Sequence, residues 1–493
     1  VASNDEIKLY KTLDKDLNRI SQVEYATQQL ARPTIGAGIS FIFIALAAVG
    51  AALVFSDSEG LPFVVAAAAI GAYMALNIGA NDVANNMGPA VGAKALTMGG
   101  AIVIAAIFES AGALLAGGDV VSTISKGIID PAAVANAQTF TWAMMAALIS
   151  AALWVNLATL LGAPVSTTHS VVGGVLGAGV AAAGFSAVNW ENMSAIAASW
   201  VISPVLGGVV AALFLAFIKS RIIYQDDKIA AARRWVPVLV AIMAGAFAAY
   251  LSVKGLKRVV KIDIPTALMI GLAFAVAAWV ITAPLIRRQS EGLENRKRSL
   301  KKLFAIPLVI SAALLSFAHG ANDVANAVGP LAAIVHSQEF GEFAGKVAIP
   351  LWVMVIGALG ISFGLVLFGP KLIKMVGDQI TKLNPMRAYC VALSAAITVI
   401  LASWLGLPVS STHIAVGGVF GVGFFREWDT ARRARKFNKA KKTPKEVAVE
   451  ERQRRKLVRR SHFMTIIAAW LITVPAAAAL SGVIFLVLDG IFS

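Results

Sequence analysis

The chain has 493 residues, 58% of them hydrophobic and 14% charged, whereas a soluble globular domain carries nearer a quarter of charged residues. This composition excludes an ordinary water-soluble enzyme and places the chain in a bilayer. The formal net charge of +16 would suit nucleic acid in a soluble protein, but Lys and Arg concentrate in connecting stretches, as in a positive-inside membrane protein, and no nucleic-acid partner is expected.

Residues 1–34 are polar and charged, unlike a signal peptide with its short basic head and apolar core. Leu9, Leu13, Leu17 and Ile20 fall there at helical spacing, an amphipathic segment to which no function is assigned. Apolar runs long enough to cross ~30 Å of hydrocarbon follow near 36–55, 61–78, 100–116, 138–161 and 194–218. A second group lies near 236–251, 264–286, 304–319, 346–369, 387–405 and 463–489. Two further runs, 163–183 and 407–425, open with Pro and a hydroxyl cluster and are rich in Gly, which predicts re-entrant or broken helices. Three basic loops, 219–235, 287–303 and 426–462, are expected in the cytoplasm. Cys390 is a single cysteine in an apolar run, so it provides neither a disulfide nor a thiolate metal site. The expected architecture is all-α: an integral, multi-pass membrane protein of about 10–12 transmembrane helices with two re-entrant or broken-helix hairpins. It divides into a polar segment 1–34, a first repeat 35–218, basic loops with two connecting helices over 219–303, and a second repeat 304–493 that includes basic loop 426–462. The sequence leaves the side of each terminus open and allows a homodimer.

The division into repeats rests on two duplicated motifs. GANDVAN occurs at 79–85 and again at 320–326, each time followed by a Gly-Pro pair. PVSTTH at 164–169 is matched by PVSSTH at 408–413, in the same order and at nearly the same spacing. Duplication of this kind marks the two halves of a transporter and its binding site.

Each motif suits one kind of ion. An Asp at mid-membrane costs roughly 2.5–3.5 kcal/mol, and the chain incurs this at both Asp82 and Asp323, so a functional role outweighs a structural one. Asn81, Asn85, Asn322 and Asn326 add amide oxygens, and Gly79 and Gly320 are expected to open the helix and free backbone carbonyls. Carboxylate, amide and carbonyl oxygens together make a site for sodium, or a proton acceptor. The second motif resembles the start of a half-helix, with Ser166, Thr167 and Thr168 in one copy and Ser410, Ser411 and Thr412 in the other. Unpaired N–H groups and hydroxyls there favour an anion; ordinary capping explains one copy better than two. His169 and His413 have no third group to orient them as bases and read as structural. His319 has no counterpart in the first half, where Ile78 stands, and is unassigned. Glu109, deep in a spanning run, either contributes to ion coupling or is hydrogen-bonded between helices.

With these residues the sequence resembles the inorganic phosphate transporter (PiT) family of sodium- or proton-coupled symporters. The resemblance also includes FESAGALLAGGDVVSTISKGIID from Phe108 to Asp130, and it extends from about residue 61 to the C-terminus. It implies an inverted-topology repeat with two re-entrant hairpins and phosphate between their tips. Carried over by position, Ser166, Thr167, Thr168, Ser410, Ser411 and Thr412 contact phosphate, while Asp82, Asn85, Asp323 and Asn326 bind cation. The expected function is secondary active phosphate transport by alternating access, with sodium favoured over proton, without a cofactor, in the cell (inner) membrane if the chain is bacterial. Sulfate is the rival substrate. A membrane-embedded phosphate-ester enzyme would need a nucleophile with its base or a metal cluster, and neither pattern is present.

Overall fold

The computed structural model describes residues 34–56, 60–130, 133–161, 165–255, 262–340, 349–375, 383–439 and 460–492. The amphipathic segment expected before residue 34 and most of basic loop 426–462 lie outside them. The described chain is helical almost throughout, because in lipid a helix satisfies all of its backbone groups internally. The first half comprises α1 (Thr34–Val54), α2 (Leu61–Asn81), α3 (Val83–Gly92), α4 (Met98–Ala116), α5 (Gly118–Lys126), α6 (Ala137–Leu161), α7 (Thr167–Ala183) and α8 (Trp190–Ile218). Two connecting helices follow, α9 (Lys228–Lys254) and α10 (Ile264–Ser290), with the short α11 (Lys297–Leu303). The second half comprises α12 (Ala305–Asp323), α13 (Ala325–Phe340), α14 (Leu351–Met375), α15 (Pro385–Trp404), α16 (Ser411–Lys439) and α17 (Arg460–Phe492). Among the described residues, 11 helices are long and apolar enough to span a membrane, within the expected range.

Several boundaries differ from expectation. The span expected at 61–78 continues through the first signature to Gly92, and the one expected at 304–319 continues through the second to Phe340. The Gly-rich run at 407–425 enters a single helix from Ser411 to Lys439; its Gly, Val and Phe are weak helix formers, but in an apolar setting the helix is what satisfies their backbone groups. The basic stretch 219–235 is mostly helix: a π turn at Lys219–Ile223 ends α8, and α9 begins at Lys228. The charges there sit on helix ends, where long side chains reach water without a long loop.

Gly79 and Gly320 do not open their helices. The interruption falls at Asp82 in one half and Val324 in the other, and Asp82 N–H still donates to Ile78 O at 2.9 Å. A Cβ on Gly79 would collide with the carbonyl of Ile361, and one on Gly320 with the carbonyl of Glu109. These glycines let backbones approach, which is how membrane helices gain packing energy when lipid is as apolar as their side chains.

The contacts of one half recur in the other with partners exchanged. Helix α2 packs on α14 as α12 packs on α4, and α7 packs on α17 as α16 packs on α8. Helices α7 and α17 run side by side in one direction, with Gly173 at Val474 and Gly177 at Ala478. Among the described residues, the basic stretches 219–235 and 287–303 and the start of the third, at Asp429, are tied together at one end of the helices. Asn295 Nδ2 donates to Asp226 O at 2.7 Å, which ties the second stretch to the first, and Lys219 Nζ meets Asp429 at 2.8 Å, which ties the first to the third.

The close approaches give a stability prediction. Gly79→Leu or Gly320→Leu should destabilise the fold by about 1–3 kcal/mol or more through overpacking, lowering the thermal midpoint in detergent. Gly38→Leu, where a Cβ meets nothing within 4 Å, should leave it unchanged; equal midpoints for all three variants would refute this reading of the glycines.

Candidate functional site

The four duplicated stretches meet in the interior. Asp82, at the α2–α3 junction, accepts from Thr167 Oγ1 at 2.6 Å and from Thr412 Oγ1 at 3.3 Å. One carboxylate thus holds a hydroxyl from each hairpin tip. Asn85 Nδ2 donates to Thr412 Oγ1 at 2.9 Å. Asn326 Nδ2 donates to Thr167 Oγ1 at 3.2 Å and Thr168 Oγ1 at 3.1 Å. Each signature therefore grips the hydroxyl cluster of the opposite half. Ser411 Oγ donates to Asp323 Oδ2 at 3.4 Å, and Thr168 Oγ1 donates to Val409 O at 3.1 Å, bringing the two tips into contact.

The hydroxyls divide by role. Ser166 Oγ accepts from His169 N–H at 3.1 Å, and Ser410 Oγ accepts from His413 N–H at 3.3 Å, so these two act as N-caps of α7 and α16. Thr167, Thr168, Ser411 and Thr412 lie in the first turns, whose N–H groups have no acceptor within the helix. Pro164 lies outside the described residues. His169 and His413 face one another behind the tips, rings 4.5 Å apart and nearly perpendicular.

The signature amides also divide. Asn322 Nδ2 donates to Ser403 Oγ at 3.0 Å and Leu407 O at 3.1 Å, and Oδ1 accepts from Val409 N–H at 3.2 Å. Asn322 thereby joins the end of α15, at Ser403, to the segment 407–409 that enters α16. Asn81 Nδ2 donates to Thr159 Oγ1 at 2.8 Å, while Asn81 Oδ1, Asp323 Oδ1 and Asn326 Oδ1 are buried without a hydrogen-bond partner among the described residues. Buried oxygens of this kind are costly unless something fills them, and carboxylate and amide oxygens suit a hard cation.

Two residues that sequence reasoning left undecided complete the cluster. His319 Nε2 lies 2.8 Å from Asp323 Oδ2 and Nδ1 lies 2.5 Å from Glu109 Oε2. Asn86 Nδ2 donates to Glu109 Oε1 at 2.9 Å. Glu109 is thus hydrogen-bonded between helices and also linked through His319 to a signature carboxylate. The ring faces an acid at both nitrogens, so either it is an imidazolium or one carboxyl keeps a proton. The signal was present in the sequence as an i, i+4 spacing of His319 and Asp323 on one helix face; the Glu109 partner is not local. Ligand atoms of Asp82, His319 and Asp323 all lie within 4.8 Å of one another. Two carboxylates so close and away from water repel unless positive charge lies beside them.

Comparison with known proteins identifies relatives of this chain. Residues 78–481 match the Phosphate transporter family. A protein of Helicobacter pylori strain J99 named "Putative phosphate permease" is 45% identical, covering 96% of this chain and 98% of its own length. A protein of the same description from Pyrococcus abyssi is 36% identical over 87% of this chain and 98% of its own. A solved structure titled "The sodium-dependent phosphate transporter" superposes with a TM-score of 0.79 at 34% identity, covering 87% of this chain and 100% of that one.

The Asn322 contacts are open to test. Asn322→Ala leaves Val409 N–H and Leu407 O without their side-chain partner, a loss of about 1–3 kcal/mol locally. Hydrogen exchange over residues 407–413 should accelerate while α7 keeps its protection, and unchanged exchange there would show that Asn322 does not hold the second hairpin.

Proposed function

The chain belongs to the phosphate transporter family, and from that premise we propose that it carries inorganic phosphate by cation symport, sodium rather than proton, through alternating access. One observation carries the reading: Asp82 accepts a hydroxyl from each hairpin tip, Thr167 at 2.6 Å and Thr412 at 3.3 Å. In this arrangement the hydroxyl hydrogens that an anion would need are turned toward a carboxylate. A cation on Asp82 takes over the carboxylate charge and releases Thr167 and Thr412 to donate to phosphate oxygens. The cation therefore raises the affinity for the anion, and the two are coupled electrostatically.

Phosphate oxygens would then lie between the first turns of α7 and α16, held by Thr167, Thr168, Ser411 and Thr412 and by helix N–H groups. Ser166 and Ser410 shape these turns as caps. The cation would take oxygens from Asp82, Asp323 and Asn326, with the unpartnered Asn81 Oδ1 as a further candidate ligand and Asn85 holding Thr412 in place. Asn322 contributes by fixing the second tip. Sodium is favoured because the solved relative is sodium-dependent by title and because unpartnered amide and carboxylate oxygens suit a cation with several oxygen ligands better than a single proton. Buried acceptors also favour phosphate over sulfate, since phosphate keeps O–H donors near neutral pH and sulfate does not.

Alternating access is supported by the arrangement of the halves. The α7 N-terminal His169 ring lies 4.0 Å from Trp200 in the middle of α8, so these two helices run in opposite directions. Helix α8 runs beside α16 in the same direction, from Trp200 at Pro408 to Lys219 at Asp429. Helix α16 is therefore opposite in sense to its counterpart α7, as an inverted repeat requires. All these site residues come from one chain, so a homodimer is not needed to complete the site.

Uptake of radiolabelled phosphate into proteoliposomes tests the reading. A sodium gradient at constant pH should drive accumulation, and a pH gradient without sodium should not; the reverse pattern would transfer the coupling to protons. Excess sulfate should compete weakly. Asp82→Asn should abolish sodium-driven accumulation while insertion and thermal stability persist, and accumulation at the unmodified rate would remove the coupling scheme.

A further inference from the structure

A groove apart from the transport site runs between α8, α16 and α17, with a volume of ≈ 1130 Å³. Its wall is apolar, from Phe425 and Trp428 at one end, past Phe420 and Val209, to Trp200 and His169 at the other. Along α16 the lining extends from Val416 to Trp428, about 18 Å at ~1.5 Å per residue. That is close to half of the ~30 Å hydrocarbon core, the depth of one leaflet. Val201, Val205 and Phe424 on its rim are exposed, so the groove opens sideways into lipid.

Only one end is charged, and its excess is positive. Lys219 Nζ lies over the Phe425 ring and Arg432 Cζ over the Trp428 ring, each 5.2 Å from the centroid. Arg426 adjoins Phe425 in the chain, and Arg433 Cζ covers the Tyr224 ring at 3.1 Å. Two acids stand among these four cations: Glu427, next to Arg426 in the chain, and Asp429, which is engaged by Lys219 at 2.8 Å, by Tyr224 OH at 2.5 Å and by Arg433 at 3.5 Å. Burial opposes its ionisation, but these hydrogen bonds outweigh that and hold its carboxyl below the usual range. Arg432 has its aromatic neighbour and no carboxylate assigned to it. This end lies where the basic stretches are tied together, which the positive-inside pattern assigns to the leaflet richer in anionic lipid.

We propose that this groove binds one anionic phospholipid, with its phosphate between Lys219 and Arg432 and an acyl chain lying along α8 and α16 toward Trp200. Charge complementarity at one end and a leaflet-deep apolar channel at the other fit a single diacyl anion. The inner end touches the transport machinery from behind. Trp200 Nε1 donates to Pro408 O at 3.1 Å and its ring packs on His169, so the acyl chain abuts the supports of both hairpin tips. The lipid is thereby positioned to change how readily the tips move.

The test uses the full chain in phosphatidylcholine vesicles containing a minor fraction of either brominated phosphatidylglycerol or brominated phosphatidylcholine, with tryptophan fluorescence as the readout. Brominated phosphatidylglycerol should quench more strongly, and Trp428→Phe should remove much of that excess. Arg432→Gln, and separately Ala212→Phe, which fills the groove without altering its charge, should bring quenching down to the phosphatidylcholine level. Equal quenching by both lipids overturns the proposal, as does an excess that survives both variants. Reversal by inorganic phosphate added to the medium would assign the basic end to free phosphate and overturn it. So would a crosslinked second copy of the chain covering Val205 and Leu471 with no lipid-selective quenching.

Discussion

Asp82 and Asp323 lie almost within contact of one another, out of reach of water, and the residues around them are arranged to make that tolerable. Hydroxyls from both hairpin tips reach Asp82, and His319 reaches Asp323. Because Asp82 accepts from one tip of each half, and Asn85 and Asn326 each reach the tip of the other half, part of the network that holds the charges also holds the halves together. In the proposed symport, moving either half changes what each carboxylate can bind, and that change couples the cation to the anion.

The halves are duplicated in order and in packing, yet their chemistry is unequal. Asp82 relies on hydroxyl donors, whereas Asp323 has an imidazole that is itself held by Glu109, itself clamped by Asn86. Ile78 occupies the position that His319 holds in the other copy. An imidazole held between Glu109 and Asp323 on one side and hydroxyl donors on the other make Asp82 the carboxylate whose partners are easier to replace. Duplication supplied the frame, and divergence at single positions gave its two acids different tasks.

Close helix approach makes this frame possible. In lipid, apolar side chains gain little from meeting one another, so glycines that bring backbones together carry the packing. Gly79 and Gly320 stand within a turn of the signature acids and fix α2 against α14 and α12 against α4. Glycines also bring α8 and α16 together, Gly208 against Gly417 and Gly421 against Gly208, and the lateral apolar groove runs beside this pair.

The sequence by itself determined the membrane location, the helical class, the duplicated motifs and the acids and alcohols that form the site, because hydropathy and repetition are written in consecutive residues. It also predicted that Asp and hydroxyl clusters belong together. What it could not give was which hydroxyl meets which acid or amide, since Thr412 with Asp82, Asn85 with Thr412 and Asn326 with Thr167 are contacts between residues in different halves. Nor could it give the role of Gly79 and Gly320, which sequence reasoning took for hinges; their purpose depends on a neighbouring backbone far away in the chain. His319 and Asn322 acquired roles only in three dimensions, one bridging two acids and the other pinning a hairpin. Composition records what a stretch of chain prefers, whereas the partner that satisfies a buried polar group is chosen by tertiary packing.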